Sequence, residues 1–153
     1  MATAAKLPFL RLILLWRGVL ADQLASRVDR LGLGERVEIV NRKVEIGDYF
    51  KKAHATVLLA KHGGIVKSFP HSLIESLIAG KPILLSRTIA MSDYVNKHRC
   101  GVVVRGMDLE SLSTAIGILI QDYEDLSHNA ARIDAAEFSV ETMIENYRRI
   151  YGM

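Results

Sequence analysis

The sequence, 153 residues long, predicts an α/β fold: one three-layer α/β/α domain with a mainly parallel sheet of about five strands and a helical C-terminal segment. Two observations predict it. Short apolar runs alternate with helical patterns along most of the chain, and these runs lack the polar–apolar alternation of strands that expose one face. Strands of this kind, separated by helices, are typical of a parallel sheet covered on both sides.

Each predicted strand is a short apolar run that ends at a turn. The five runs are Leu12–Trp16, Val37–Val40, Ala55–Ala60, Ile83–Ser86 and Gly101–Val104. The helical patterns that connect and follow them are Val19–Leu31, Ile46–Ala53, a helix from Pro70 to Gly80, Met91–His98, Leu109–Asp122, Tyr123–Ala136 and Val140–Tyr151. We expect right-handed crossovers, with ligands at the carboxyl ends of the strands.

The start of the helix at Pro70 is the most informative feature. Proline suits the first helical position because its missing N–H costs nothing there. Gly80 is the residue expected just past a helix end, and Pro82 blocks continuation. Free N–H groups and the positive end of the helix dipole favour an anion at such a start, so the segment predicts a phosphate site.

Composition restricts the remaining possibilities. The net charge of +3 is mild and no dense Lys/Arg run interleaves with aromatic residues, so nothing favours nucleic acid as a partner. Cys100 is the single cysteine, which excludes an internal disulfide and favours a reducing, cytoplasmic setting. Arg11 and Arg17 interrupt the apolar stretch 7–20, which we interpret as a buried strand and helix start. Residues 1–6 are expected to be disordered or extraneous to the domain.

The run 67–82, Lys-Ser-Phe-Pro-His-Ser-Leu-Ile-Glu-Ser-Leu-Ile-Ala-Gly-Lys-Pro, resembles the signature of retaining glycosyltransferases of family 4, usually Glu-Gly-Phe-Pro-Asn-Ser-Leu-Leu-Glu-Ala-Met-Ala-Cys-Gly-Leu-Pro. The similarity extends in order to four flanking segments: Tyr49–Ala60, Gly101–Val104 with Asp108–Leu112, Phe138–Glu141 and Tyr147–Tyr151. The chain therefore resembles the C-terminal, Rossmann-like half of a GT-B enzyme.

This resemblance implies that residues 7–153 form a nucleotide-sugar-binding domain. The implied reaction moves a hexose, as in mannosyltransferases, from a nucleoside diphosphate sugar to an acceptor hydroxyl, without a metal or other cofactor. An acceptor-binding N-terminal domain or partner chain is missing, so this half alone is expected to be inactive. The acceptor domain would bring the cytoplasmic enzyme to the inner face of the membrane. The family's first, central strand and its Arg/Lys loop have no counterpart here. Either the place of that strand in the sheet is vacant, or a rearrangement or a partner fills it.

Two charged residues occupy the family's acidic positions. Glu75 lies roughly 130° from the centre of the apolar stripe formed by residues 73, 74, 77 and 78, so it is not expected in the core. In the family the matching acid accepts hydrogen bonds from the ribose hydroxyls, and the alternative is a solvated carboxylate. Lys67 stands where the family has its first Glu, which contacts the donor sugar. The lysine could bind phosphate or belong to a diverged, inactive domain.

The resemblance implies further substrate-binding residues in three loops. The helix start would form a phosphate or sugar cradle, through Ser68, Phe69, His71, Ser72 and Leu73. Arg17 and Gly18 follow the first strand, where phosphate contact is an alternative to packing. Arg42 and Lys43 follow the second strand, where family members position the nucleotide base. No His/Asp/Glu cluster predicts a metal site.

Three other functions compete with the transferase. The domain could bind a nucleotide or sugar nucleotide without turnover, or it could be the partner subunit of a split glycosyltransferase. A flavodoxin-like receiver domain has a similar order of elements, but it requires clustered acids after its first strand. The segment Trp16-Arg17-Gly18 offers none.

Overall fold

A computed structural model of the protein describes residues 2–15 and 18–152. Its contacts divide the chain into two units, Met1–Glu45 and Ile46–Met153. The five predicted strands are present and every observed pairing is parallel. They form a two-stranded sheet in the first unit and a three-stranded sheet in the second, and no ladder joins the two sheets within the described residues. The α/β prediction is confirmed, with two sheets instead of one.

The described residues of the first unit form two helices and two paired strands. Its elements are α1 (Ala2–Lys6), β1 (Leu12–Leu15), α2 (Ala21–Arg30) and β2 (Val37–Val40). Leu12 pairs with Val37 and Leu15 with Val40, so the carboxyl ends of the strands lie at one edge. A small core consists of Ala4, Val28, Leu33 and Val37.

The N-terminal segment differs from the expectation of disorder. Residues 2–6 form α1, and the side chains of Thr3 and Ala4 are buried. Arg36 supplies the physical reason, because its Nη1 donates to the carbonyls of Ala4 at 2.7 Å and Leu7 at 3.0 Å. Charge-assisted bonds of this kind satisfy carbonyls that a helix end leaves open.

The second unit contains the remaining strands and six helices among its described residues. In chain order these are α3 (Ile46–Lys52), β3 (Thr56–Leu58), α4 (His71–Ile78), β4 (Ile83–Ser86), α5 (Ser92–His98), β5 (Gly101–Val104), α6 (Leu109–Gln121), α7 (Tyr123–Ala131) and α8 (Val140–Tyr151). The strand order is β3–β4–β5. All four residues of β4 are buried, which explains why residues 83–85 of this central strand are all apolar and why the hydroxyl of Ser86 is hydrogen-bonded.

The core of the second unit lies between α4, α5 and the sheet. Leu73 and Leu77 of α4 pack with Ile83 and Leu85 of β4 and with Val95 of α5. The helical C-terminal segment is confirmed, although α7 ends at Ala131 and a short 3-10 turn, Ala135–Phe138, follows it. None of the described helices has the length and apolar character needed to cross a membrane.

Cys100 is fully buried in this core, and burial raises the pKa of its thiol from the ordinary 9.0 to about 11. We expect the thiol to react with iodoacetamide about a hundredfold more slowly at pH 8 than in the urea-unfolded chain, because the thiolate is the nucleophile. Because burial disfavours the thiolate in the folded protein, the free energy of unfolding is expected to fall as pH rises from about 9 to about 11, and this group leaves it unchanged below pH 9. Mass spectrometry of timed alkylation tests the first point, and equal rates in both states would contradict it.

Candidate functional site

The helix start predicted from the sequence is present, one residue later than expected. Pro70 was predicted as the first residue of α4, but its ψ of 128° is extended, so it caps the helix and His71 begins it. Its carbonyl accepts hydrogen bonds from the N–H groups of Leu73 at 3.0 Å and Ile74 at 3.3 Å. The proline therefore fixes the entry direction of the chain without a side-chain cap.

These hydrogen bonds divide the amides of the predicted cradle into those already used within the helix and those that precede its first bond. The N–H of Leu73 is already bonded to Pro70, and the Leu73 side chain is fully buried, so this residue anchors the helix. The N–H groups of His71 and Ser72 come before the first intrahelical bond, and both residues are exposed. They are accordingly the amides through which the positive end of the α4 dipole is presented to solvent.

The far end of α4 is closed as the sequence predicted. Gly80 has a φ of 69°, and its N–H donates to the carbonyl of Leu77 at 2.8 Å. Lys81 N–H donates to the carbonyl of Ser76 at 2.9 Å, which completes a Schellman motif. The buried Ser76 hydroxyl in turn donates to the Lys81 carbonyl at 3.1 Å. The helix is therefore held at both ends.

The two charged candidates are both exposed. Glu75 lies in the middle of α4 away from the buried Leu73, Ser76 and Leu77, so the prediction that it is not a core residue is confirmed. Lys67 and Ser68 are exposed in the loop before the helix. The single ion pair among the described residues joins Lys51 and Asp48, so neither Glu75 nor Lys67 has a salt-bridge partner there. Both charges remain available to a ligand.

The loop that leads to α4 is fixed against the neighbouring strand end. Thr88 Oγ1 donates to the carbonyl of Ala60 at 2.7 Å, and the N–H of Ala60 donates to Ser86 Oγ at 2.8 Å. A Cβ at Gly63 would overlap the Thr88 carbonyl oxygen, so this position requires glycine for close approach. The site lies at the carboxyl edge of β3 and β4, as the predicted fold requires.

The other predicted site residues belong to the first unit. Gly18, Arg42 and Lys43 are exposed in the segments that follow β1 and β2. Because those strands are parallel and paired, the segments leave the same edge of the two-stranded sheet. Trp16 and Arg17 lie outside the described residues.

An aromatic groove beside the loop was not predicted. The rings of Phe69, Tyr94 and Phe138 lie 5.5–6.3 Å apart and line a cavity of about 380 Å³, together with residues of α8. Tyr94 Oη donates to Glu137 Oε2 at 2.9 Å. Burial and this carboxylate raise the pKa of Tyr94 well above its ordinary value, so the phenol remains a neutral donor. The signal in the sequence was weak, since these aromatics are widely separated.

No group of three or more His, Cys, Asp or Glu side chains within residues 2–15 and 18–152 is arranged to hold a metal ion. The described site consists of the backbone dipoles at the start of α4, the carboxylate of Glu75, the ammonium group of Lys67 and hydroxyl groups. Such a set is suited to binding a phosphate-bearing ligand with sugar hydroxyls.

The sequence profile of a family described as "Glycosyl transferases group 1" matches residues 4–136. This chain belongs to that family. The parallel strands and the helices between them are those of the C-terminal, Rossmann-like domain of GT-B glycosyltransferases, so this part of the resemblance is confirmed. The matched range contains α4, its loop and the whole of both sheets.

The relatives of this chain are distant in sequence, but each alignment covers most of it. It is 23% identical over 151 residues to the exopolysaccharide phosphotransferase SCO2592 of Streptomyces coelicolor, covering 94% of this chain and 15% of that protein. Sucrose-phosphate synthase from Thermosynechococcus elongatus superposes with a TM-score of 0.78 and 21% identity over 99% of this chain and 41% of that one.

Two further structures share the fold. Anabaena HepE, solved in complex with UDP, superposes with a TM-score of 0.76 and 19% identity over 99% of this chain and 43% of its own. The C-terminal domain of the group 1 protein LpcC from Francisella tularensis superposes with a TM-score of 0.71 and 12% identity, over 91% of this chain and 75% of that one. The chain thus spans less than half the length of the relative and of the first two structures.

Proposed function

We propose that this chain is the donor-binding domain of a retaining, family 4 glycosyltransferase that takes its sugar from a nucleoside diphosphate sugar. The observation that carries the proposal is the start of α4, where the N–H groups of the exposed residues His71 and Ser72 precede the first intrahelical bond and the exposed residue Glu75 follows one turn later. The amides would hold the diphosphate, and Glu75 would accept from the ribose hydroxyls. The UDP complex of the structural neighbour HepE supports a nucleotide as ligand.

The geometry is suited to stabilising a departing diphosphate. Negative charge develops on the leaving group when the bond to the sugar breaks, and preorganised N–H dipoles lower the energy of that state. Lys67 would add a compact cation at the mouth of the cradle, while Ser68 and the Phe69 amide would border the sugar phosphate. As the family resemblance implies, Arg17 and Gly18 are also proposed as phosphate-binding residues, and Arg42 and Lys43 as base-binding residues. In our proposal the transferred sugar is a hexose of the mannose type, and it is transferred to a hydroxyl group of the acceptor.

Glu75→Ala is expected to weaken UDP binding about 10- to 150-fold, because a hydrogen bond to a charged group contributes about 1.5–3 kcal/mol. Isothermal titration of the 153-residue chain with UDP, GDP and ADP measures the loss and identifies the preferred base. Glu124→Ala is the matched control, since Glu124 is an exposed helical carboxylate on α7. An unchanged dissociation constant in Glu75→Ala would remove this carboxylate from the site.

A second candidate function is nucleotide-sugar binding without turnover. Lys67 favours it, because the family's first acid contacts the donor sugar and a lysine reverses that charge. Donor hydrolysis or transfer, measured after adding an acceptor-binding domain, separates the enzyme from a silent binder. Retention of the anomeric configuration in the product, read by proton NMR, tests the retaining mechanism.

We further propose that another domain or partner chain completes the protein, as in a split glycosyltransferase. The short span relative to its relatives supports this, and so does α8. One face of α8 is apolar yet exposed, through Val140, Met143, Ile144, Tyr147, Ile150 and Tyr151. An unpartnered stripe of this size is typical of an interaction surface. The acceptor domain would also supply the contact with the cytoplasmic face of the membrane.

A further inference from the structure

A second cavity of the Ile46–Met153 unit contains two arginines. It has a volume of about 610 Å³, within the range of small-molecule sites, and Arg87 and Arg105 line it with Thr88, Ser92, Asp93 and Asn96. It shares no lining residue with the aromatic groove, and none of the residues 67–75 borders it. None of its lining residues is among those that the nucleotide proposal assigns to the ligand, although Thr88 also bonds the loop that leads to α4.

The parallel pairing of β4 and β5 brings the two arginines together. Ser86 is the register partner of Val104, and the N–H of Arg87 donates to the Val104 carbonyl at 3.0 Å. The next residue of each strand end is an arginine, so both side chains leave the same edge of the sheet. Because both arginines line one cavity, an anion bound there would be attracted by two positive charges.

Neither guanidinium group is neutralised by the described part of the chain. The single ion pair there is Lys51–Asp48, although the carboxylate of Asp93 also lines the cavity. Arg87, Arg105 and Asp93 are all exposed. Counting these three side chains, the cavity carries one net positive charge and unused guanidinium donors, which match a phosphate group in geometry as well as in charge.

The backbone beneath the arginines is held in place. Thr88 Oγ1 donates to the carbonyl of Ala60, and the buried Ser92 Oγ donates to the carbonyl of Arg87 at 3.3 Å. Both hydroxyl protons are therefore committed to the scaffold. The donors left for a ligand are the two guanidinium groups and the side-chain amide of the exposed Asn96, while Asp93 is the strongest acceptor.

We propose that this cavity binds a phosphate monoester that carries hydroxyl groups. Arg87 and Arg105 bind the phosphate oxygens, Asn96 adds a donor, and Asp93 accepts from a hydroxyl beside the phosphate. Asp93 sets the selectivity, because a bare phosphate dianion gains nothing from it and is repelled. The site goes beyond the proposed nucleotide function and does not depend on it.

Titration of the 15N-labelled chain with glycerol 3-phosphate tests the proposal. We expect saturable shifts of the amides of Arg87, Thr88 and Arg105, and at least tenfold weaker binding in Arg87→Ala and in Arg105→Ala. Arg132→Ala is the matched control, because Arg132 is an exposed arginine of the same unit outside the cavity. Asp93→Asn is expected to tighten binding of inorganic phosphate and to remove the preference for glycerol 3-phosphate over it.

Three outcomes would overturn this site. They are shifts that stay linear with ligand concentration, equal weakening in Arg132→Ala, and binding that survives in the double variant Arg87→Ala/Arg105→Ala. UDP titration of the double variant keeps the two proposals apart. Unchanged UDP affinity supports separate sites and shows that the variant is folded, whereas lost UDP affinity in a variant with wild-type chemical-shift dispersion would assign the arginines to the nucleotide.

Discussion

Replacing Gly101 with alanine is expected to destabilise the protein by about 3 kcal/mol or more, at the upper end of overpacking effects. A Cβ at this position would overlap the backbone oxygen of Ile83 and lie 2.9 Å from its nitrogen. Ile83 is fully buried in β4, is the register partner of Gly101 and donates its N–H to the Cys100 carbonyl at 3.2 Å. The obstacle is strand backbone, so it cannot move without breaking the β4–β5 ladder.

Gly117→Ala is the matched control for this substitution. Gly117 lies inside α6, and an added Cβ would meet nothing within 4 Å. Alanine there is expected to stabilise the protein by about 0.5–1 kcal/mol through helix propensity. Urea unfolding followed by circular dichroism measures both changes. Equal midpoints for Gly101→Ala and Gly117→Ala would show that the close approach to Ile83 is not a constraint.

Leu77→Ala is expected to cost about 2–5 kcal/mol, because it opens a cavity in the core of the second unit. Leu77 is fully buried on α4 and packs in the cluster that includes Leu85 and Val95. The substitution also loosens the helix that presents His71 and Ser72, so the proposed function predicts that nucleotide affinity falls with stability.

The adjacent residue provides the control on the same helix. Ile78 is 50% exposed, so Ile78→Ala is expected to cost less than about 1 kcal/mol. Thermal unfolding of the two variants side by side measures the contrast. Comparable losses would mean that Ile78 is covered in solution and that the burial pattern of α4 differs from the one described.

Local patterns were enough for most elements of the fold. The strands Val37–Val40, Ile83–Ser86 and Gly101–Val104 and the helix Val140–Tyr151 have the predicted bounds, because an apolar run or stripe and its flanking turn coincide in each. The third strand was predicted to be longer than it is at both ends, as Ala55–Ala60 instead of Thr56–Leu58. Ala60 instead uses its N–H and carbonyl to bond the Ser86 and Thr88 side chains, which a sequence pattern does not reveal.

The candidate site was predicted in part. The α4 start, its glycine end and the exposure of Glu75 followed from spacing and propensity. The Arg87–Arg105 cavity did not, since the two arginines are separated in sequence and each alone reads as an ordinary loop residue. Only the parallel register of β4 and β5 makes them neighbours.

By itself the sequence determined the class of fold, the order of its elements and the position of the helix start for which we propose an anion. These depend on interactions within a few residues, such as periodicity, caps and turn residues, so one stretch of chain contains all the information. The tertiary structure decided that Leu77 is buried while Ile78 is half exposed, that the strands form two separate sheets, and that two arginines share one cavity. Those outcomes depend on packing and strand pairing between segments that are distant in sequence. Local propensities do not include the energies of such contacts.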